Sequence, residues 1–341
     1  MARTTPARAV DIARIFPELA PLARTTVRLH PRPGAPTADA SSVGGPLLWP
    51  ADEPWPTCPE HAGPWHVGYV PAEVRACRSV LTAGWGRSRD GRLSLTPQER
   101  EAVDRVGYTG RRLAQDGPVP LLAVLQLYAR DLPEAGAGAD LWPGPDGTDL
   151  LQVLWCPFEH GEDAIPDVRL FWRTASQVGP VLAEAPEPDV IGDDNHLPAP
   201  CVLHPEALTE YPAPLELPEE LVARIEGWEA AEGLEHAYHF GLSVVHGWKL
   251  GGWGPWSFCD PWPMECPDCG GEVRPLLTVA SGEWDGEGDW RPVEDSAPGA
   301  SDVSVYPQQQ EPTMITVGRA SNLQIYRCTA SVEHRPVSVL Q

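Results

Sequence analysis

The sequence predicts an α+β fold dominated by antiparallel β-sheet, built from two related β-rich halves with a few short helices. Three observations predict it. The 40 Pro and 32 Gly exceed a fifth of the 341 residues, which breaks the chain into short elements and excludes long helical bundles. Runs rich in Val, Leu, Ile and aromatic residues, bounded by Gly or Pro, recur along the chain as strands do. An ordered set of short motifs occurs twice.

Taken in order, Val10–Leu19 reads as a short amphipathic helix docking on the body. Strands are expected at Thr26–Leu29, Pro120–Tyr128, Asp149–Trp155, Val168–Trp172, Pro275–Ala280, Thr313–Val317 and Asn322–Arg327. A helix starts at Thr96-Pro-Gln-Glu99 and is expected to reach about Gln115. Thr96 caps it, Pro97 suits the first helical position, and Glu99 completes a capping box. A second helix is expected from Pro218 to about Ala231, with Leu221, Val222, Ile225 and Trp228 on one face. The acidic stretches Ala183–Pro198 and Asp285–Asp302 read as loops.

The domain plan is an N-terminal arm (1–40), a first β-rich half (41–182) with the helix 96–115 inserted, an acidic Pro-rich linker and helix (183–235), and a second β-rich half (236–341). Gly44-Gly-Pro-Leu-Leu-Trp-Pro followed by Trp55-Pro-Thr-Cys58-Pro-Glu-His61 parallels Gly251-Gly-Trp-Gly-Pro-Trp followed by Trp262-Pro-Met-Glu-Cys266-Pro-Asp-Cys269. Pro120-Leu-Leu-Ala-Val124 is paired with Pro275-Leu-Leu-Thr-Val279. Each half then closes on a strand that runs into a Cys with a His nearby, Cys156 and His160 in the first, Cys328 and His334 in the second. The common order predicts an internal duplication.

Hydrophobic content of 42% with 14 Trp supports a packed core. A net charge of −23 excludes nucleic acid and anionic membrane as partners and suits a basic protein, although an acidic surface also serves solubility. A single Lys, Lys249, against 24 Arg reads as the codon bias of a high-GC bacterial genome. No run of 18 apolar residues offers a membrane span, and the first residues lack the apolar core of a secretory signal. A cytoplasmic location is expected, where the eight Cys serve as thiols or metal ligands rather than disulfides.

Cys266-Pro-Asp-Cys269-Gly-Gly is the strongest chemical signal. Pro and Gly allow the tight turn in which successive amides point at the sulfurs. A redox Cys-x-x-Cys opens a helix, and Gly270-Gly271 is a poor helix start. Zinc takes four thiolate or imidazole ligands in a tetrahedron, commonly as two short-spaced pairs. Cys266, Cys269, Cys328 and His334 form one expected site, and Cys58, His61, Cys156 and His160 a second. Cys259 competes as the fourth ligand of the former. The alternative for the first half is that Cys58 and Cys156 are buried apolar residues, with His61 and His160 in loops. Cys77 and Cys201 are assigned to packing. One or two structural Zn²⁺ are therefore expected.

No phosphate-binding, dinucleotide-binding, nucleophile-elbow or His-Glu-x-x-His motif occurs. His246-Gly-Trp-Lys-Leu-Gly-Gly-Trp-Gly-Pro-Trp-Ser-Phe-Cys-Asp260 resembles the His-Lys-Leu-Gly-Gly-Tyr-Pro segment of the YwqG-like family, a bacterial group of unknown function. Gly44-Gly-Pro-Leu-Leu-Trp-Pro and Val119–Gln126 are similar to that family's opening strands, and Val317–Tyr326 lies where the family has Trp-Gly-Asp-(Ala)-Gly, here without the Trp and Asp. The Cys/His pairs are similar to those of an actinobacterial-looking branch. The resemblance implies a duplicated, mainly antiparallel α+β fold and carries no catalytic residues. It also implies a role suggested for family members, immunity against secreted toxins.

The reading is a cytoplasmic, zinc-stabilised binding protein, of the immunity or antitoxin type, that engages a basic protein. One alternative is a zinc hydrolase with three protein ligands, an open position and Glu60, Glu159 or Glu265 as base. Another is an aromatic groove between the halves, drawing on Trp253, Trp256 and Trp262 with Trp49, Trp55 and Trp65, against the plainer reading that these Trp fill gaps between short elements.

Overall fold

A computed structural model describes residues 3–61, 64–88, 92–107, 110–115, 117–134, 141–256, 259–284, 290–296 and 309–341. The helices are α1 (Ile12–Ile15), α2 (Pro71–Gly86), α3 (Pro97–Val106) and α4 (Glu219–Glu232). The first-half strands are β1 (Arg24–Arg28), β2 (Arg32–Pro33), β3 (Ser42–Val43), β4 (Thr57–Cys58), β5 (Trp65–Gly68), β6 (Arg111–Ala114), β7 (Val119–Pro120), β8 (Leu122–Tyr128), β9 (Leu150–His160) and β10 (Ile165–Arg173). Then come β11 (Cys201–Val202), β12 (Glu206–Glu210), β13 (Lys249–Gly251), β14 (Val273–Ala280), β15 (Asn322–Cys328) and β16 (Val337–Leu340). The fold is α+β and every strand pair is antiparallel.

Two six-stranded sheets carry the architecture, in the orders β2-β11-β3-β8-β9-β10 and β12-β1-β13-β14-β15-β16. Their registers correspond strand by strand. Val43 faces Leu125 as Leu250 faces Leu277. Gln126 faces Gln152 as Thr278 faces Gln324. Both central pairs slip by one residue at the same place, between Ala123 and Leu125 and between Pro275 and Leu277. The two Pro-Leu-Leu runs are three residues out of step, because the register sets Ala123, not Pro120, at the position of Pro275.

The segments expected as an arm and as a linker do not stand apart. β1 lies in the second sheet and β2 in the first, while β11 lies in the first and β12 in the second. Each unit, 24–173 and 201–340, thus lends its first strand to the large sheet of the other. The crossings read Leu29-His30-Pro31 and Leu203-His204-Pro205, at identical spacing from the flanking strands. His30 adopts a left-handed φ of 44° and is fully buried, 3.1 Å from Glu206 and 3.5 Å from Glu283. Arg28 beside it donates to the Trp290 carbonyl at 2.8 Å, and Arg32 pairs with Asp295.

One apolar core spans both sheets, with Val27, Val43, Leu125, Val153 and Trp155 packed with Trp248, Leu250, Leu277 and Ile325. Each such side chain contributes about 1.5–3 kcal/mol when buried. β9 is buried on both faces, with Val153 and Trp155 in this core and Leu154, Cys156 and Phe158 packed with Trp49. That explains its unbroken apolar run.

Helix α3 has the expected capping box but ends at Gly107, whose φ of 73° turns the chain into β6 instead of continuing to Gln115. Thr313–Val317 is not a strand. Its buried Ile315 and Val317 sit in a loop whose backbone pairs with the 195–199 segment. Of the expected loop 285–302, only 290–296 lies among the described residues. No helix among the described residues is long and apolar enough to cross a membrane.

The one Lys is fully buried. Lys249 on β13 reaches both carboxylate oxygens of buried Glu210 on β12 at 2.8 Å and the Trp253 carbonyl at 2.7 Å. Glu210 also accepts from the amides of Val245, at 2.8 Å, and Trp253. Removing the cation strands a buried carboxylate, so Lys249→Met should lower the unfolding free energy in urea by about 3–5 kcal/mol, with partial recovery on adding Glu210→Gln. A loss below about 1 kcal/mol would contradict this role, since that is the value of a surface pair.

Candidate metal centres

Each sheet carries a Cys/His group at one end of its central strands. In the first, Cys58 ends β4 opposite Val119, and His61 follows in the turn. Cys156 and His160 lie near the end of β9. In the second, the Cys266 amide donates to the Gly271 carbonyl and the Gly270 amide to the Cys266 carbonyl, both at 2.8 Å. Gly270 closes this knuckle at φ +67°, a value that favours glycine. Cys328 ends β15, and His334 lies in the turn before β16. The register makes Cys58 equivalent to Cys266, His61 to Cys269 and Cys156 to Cys328. His160 and His334 follow their Cys by four and six residues.

Within each group the four ligand atoms lie within 4.8 Å of one another. His61 Nδ1 is 3.4 Å from Cys58 Sγ and 3.6 Å from Cys156 Sγ, and His160 Nε2 is 3.7 Å from Cys58 Sγ. His334 Nδ1 is 3.5 Å from Cys266 Sγ and 3.3 Å from Cys328 Sγ, and the sulfurs of Cys269 and Cys328 are 3.6 Å apart. A tetrahedron with sulfur at ~2.3 Å and nitrogen at ~2.0 Å has edges of roughly 3.3–3.8 Å. A disulfide would need about 2.05 Å. Both groups therefore have the shape of a closed four-donor metal site. Cys58, Cys156, Cys266 and Cys328 are buried and Cys269 is exposed.

The surroundings orient the donors. Glu60 Oε2 lies 3.0 Å from His160 Nδ1, which leaves Nε2 for a metal. His61 stacks on Phe158 with centroids 4.7 Å apart. In the second group Arg335 pairs with Asp268 at 2.7 Å, and its amide donates to the same carboxylate at 2.6 Å. Arg335 follows His334 and Asp268 precedes Cys269, so this ion pair ties the two ligand loops together. Without metal, burial pushes the Cys156 thiol up. Burial acts likewise on Cys328, but hydrogen bonds from His334 and the amides of Ser331 and Ala330 outweigh it and hold that thiol at about 6.

Cys259 is outside both groups, its sulfur accepting from Gln341 Nε2 at 2.6 Å. Cys201 is buried in β11 and Cys77 half-exposed on α2. Each group offers four protein donors, the number of a closed structural site, whereas the hydrolase reading calls for three and an open position. Glu159 and Glu265 are exposed and belong to neither group. The Arg335–Asp268 clamp escaped sequence reasoning, since only proximity in the fold relates the two residues.

Glu60→Gln should weaken metal binding at the first group by about 10–100-fold and leave the second unchanged, read by competition with a chromophoric chelator. Equal affinity in variant and parent would remove Glu60 from the site. No family model matches the chain, and no curated protein matches it.

Proposed function

We propose that each group holds one structural zinc ion and that the protein acts in the bacterial cytoplasm by binding a basic protein rather than by catalysis. The observation that carries this reading is the pair of closed four-donor groups at equivalent register positions. Cys₂His₂ and Cys₃His are donor sets of structural zinc, and iron–sulfur clusters generally require more thiolates. Bound zinc would cross-link the β4 or knuckle turn to the end of the neighbouring sheet. The equivalent registers and the twin Leu-His-Pro crossings support an origin by internal duplication.

The charge supports a basic partner. α4 and the turn after it expose Glu219, Glu220, Glu226, Glu232 and Glu235, while Arg224 there is paired with Glu18 at 2.6 Å. Such a face steers a cationic surface at low ionic strength and loses its reach as the screening length falls.

Cys266→Ser and Cys269→Ser should abolish cooperative unfolding, because structural zinc contributes about 10–16 kcal/mol in small domains, comparable with a whole domain's stability. Soluble protein with an unchanged melting transition would argue against a structural metal. Bacterial lysate passed over the immobilised protein should retain basic proteins that elute as salt rises from about 0.05 to 0.5 M. Replacing Glu219, Glu220 and Glu226 by Gln should reduce that retention. Retention confined to acidic proteins, or insensitive to salt, would contradict the partner class.

A further inference from the structure

A cleft of about 750 Å³ opens at the end of the second sheet that also carries the Cys266 group. Trp253, Trp256 and Trp262 line it, with the Tyr326 ring and the glycines of the 251–254 turn. Arg24, Thr25 and Leu141 are its wall residues from the first unit, while Trp49, Trp55 and Trp65 do not line it, so the aromatic residues of the two halves do not meet in one groove.

The sister unit shows what the same frame looks like when filled. Trp49 corresponds to Trp256, and each donates its amide to the carbonyl two residues back, at 2.9 and 3.0 Å. Trp55 corresponds to Trp262, and the ring pairs are similar, 5.0 Å apart in the first unit and 5.4 Å in the second. In the first unit Leu47 and Leu154 stand at the positions of Gly254 and Tyr326, and close a buried apolar cluster around Trp49. There Trp55 is fastened by its indole N–H to the Leu121 carbonyl at 2.9 Å. In the second unit the space stays open and Trp262 is 45% exposed. A Cβ at position 254 would come within 2.4 Å of Gln324 Oε1 and 2.8 Å of the Tyr326 hydroxyl, so glycine alone fits over this buried polar pair.

The polar groups of the cleft set the ligand class. Glu216 and Glu272 face it together with Arg24 and Arg274, two charges of each sign in a chain of net −23. Glu272 and Arg274 pair with each other at 3.0 Å, so the wall offers donors and acceptors side by side, which suits a neutral polyol. Glu216 Oε2 is buried with no hydrogen-bond partner among the described residues, which is costly unless a donor reaches it. Burial pushes this carboxyl up to about 7, against the pull of the Ala213 backbone, Arg24 and a hydrogen bond from the Trp256 side chain. Aromatic faces beside such groups suit a ring with an apolar face and a hydroxylated edge, and the volume lies within the usual range of ligand sites.

We propose that this cleft is a binding site for a neutral saccharide of one to three rings, with Trp262 as the stacking wall and Glu216 as acceptor for a sugar hydroxyl. The proposal does not rest on the protein-partner reading.

The test uses saturation-transfer NMR and Trp fluorescence on the full chain. The probes are N-acetylglucosamine, its dimer and trimer, maltose and cellobiose, with arginine amide and citrate as charged comparators. At least one neutral saccharide should bind. Trp262→Ala should weaken it about tenfold or more, equivalent to ~1.4 kcal/mol, with metal content and melting temperature unchanged. Glu216→Gln, which keeps the shape, should also weaken it. No binding by any saccharide, binding indifferent to both substitutions, or preference for arginine amide or citrate would each overturn the assignment.

Discussion

The exchange of first strands between the two units is the constraint on which the rest of the structure depends. With β1 in the second sheet and β11 in the first, neither sheet is complete without the other unit. Both sheets then share one core, and the crossings at His30 and His204 lie where the chain passes between them. Burying Arg28, His30, Arg32, Glu283 and Asp295 at the first crossing is expensive, and hydrophobic residues of equal volume would serve stability as well. The network ties the β1–β2 crossing to Glu206, Glu283 and Asp295, where the chain passes between the sheets.

The metal groups act at the ends that this exchange leaves loose. Among the described residues β4 pairs only with β7, and the Cys266 knuckle makes one bridge of its own, Glu265 to Glu272. Four-donor coordination would fasten each of these turns to the neighbouring long strand. The second knuckle also bounds the cleft, since Met264 and Glu272, on either side of it, are wall residues. On this account the first unit spends its aromatic pair on packing, and the second keeps the equivalent pair at a site open to solvent.

Much of this was legible in the sequence where signals are local. Long apolar strands such as β8, β9, β14 and β15 declare themselves because both neighbours of each are apolar sheet. The two Cys/His groups were legible because short Cys/His spacings have few other uses, and the repeat supplied which distant pairs belong together. Strands β12 and β13 were not legible, since Glu206, Glu210 and Lys249 lie in them and pattern reasoning reads a charge as exposed. Only the fold shows that His30 faces Glu206 and that Glu210 and Lys249 face each other. α2 escaped because just Pro71, Val74 and Gly84 are buried, too few for a periodic stripe. β2, β3 and β11 are two residues long and carry no periodicity at all.

The most direct test of the central claim is the number of zinc ions per chain, by elemental analysis together with native mass spectrometry on protein purified without added metal. The account predicts two per chain, with none of the five cysteines of the two groups in a disulfide. One zinc would dissolve the equivalence of the two centres, and metal-free protein that remains folded with freely titrating thiols would contradict the account outright.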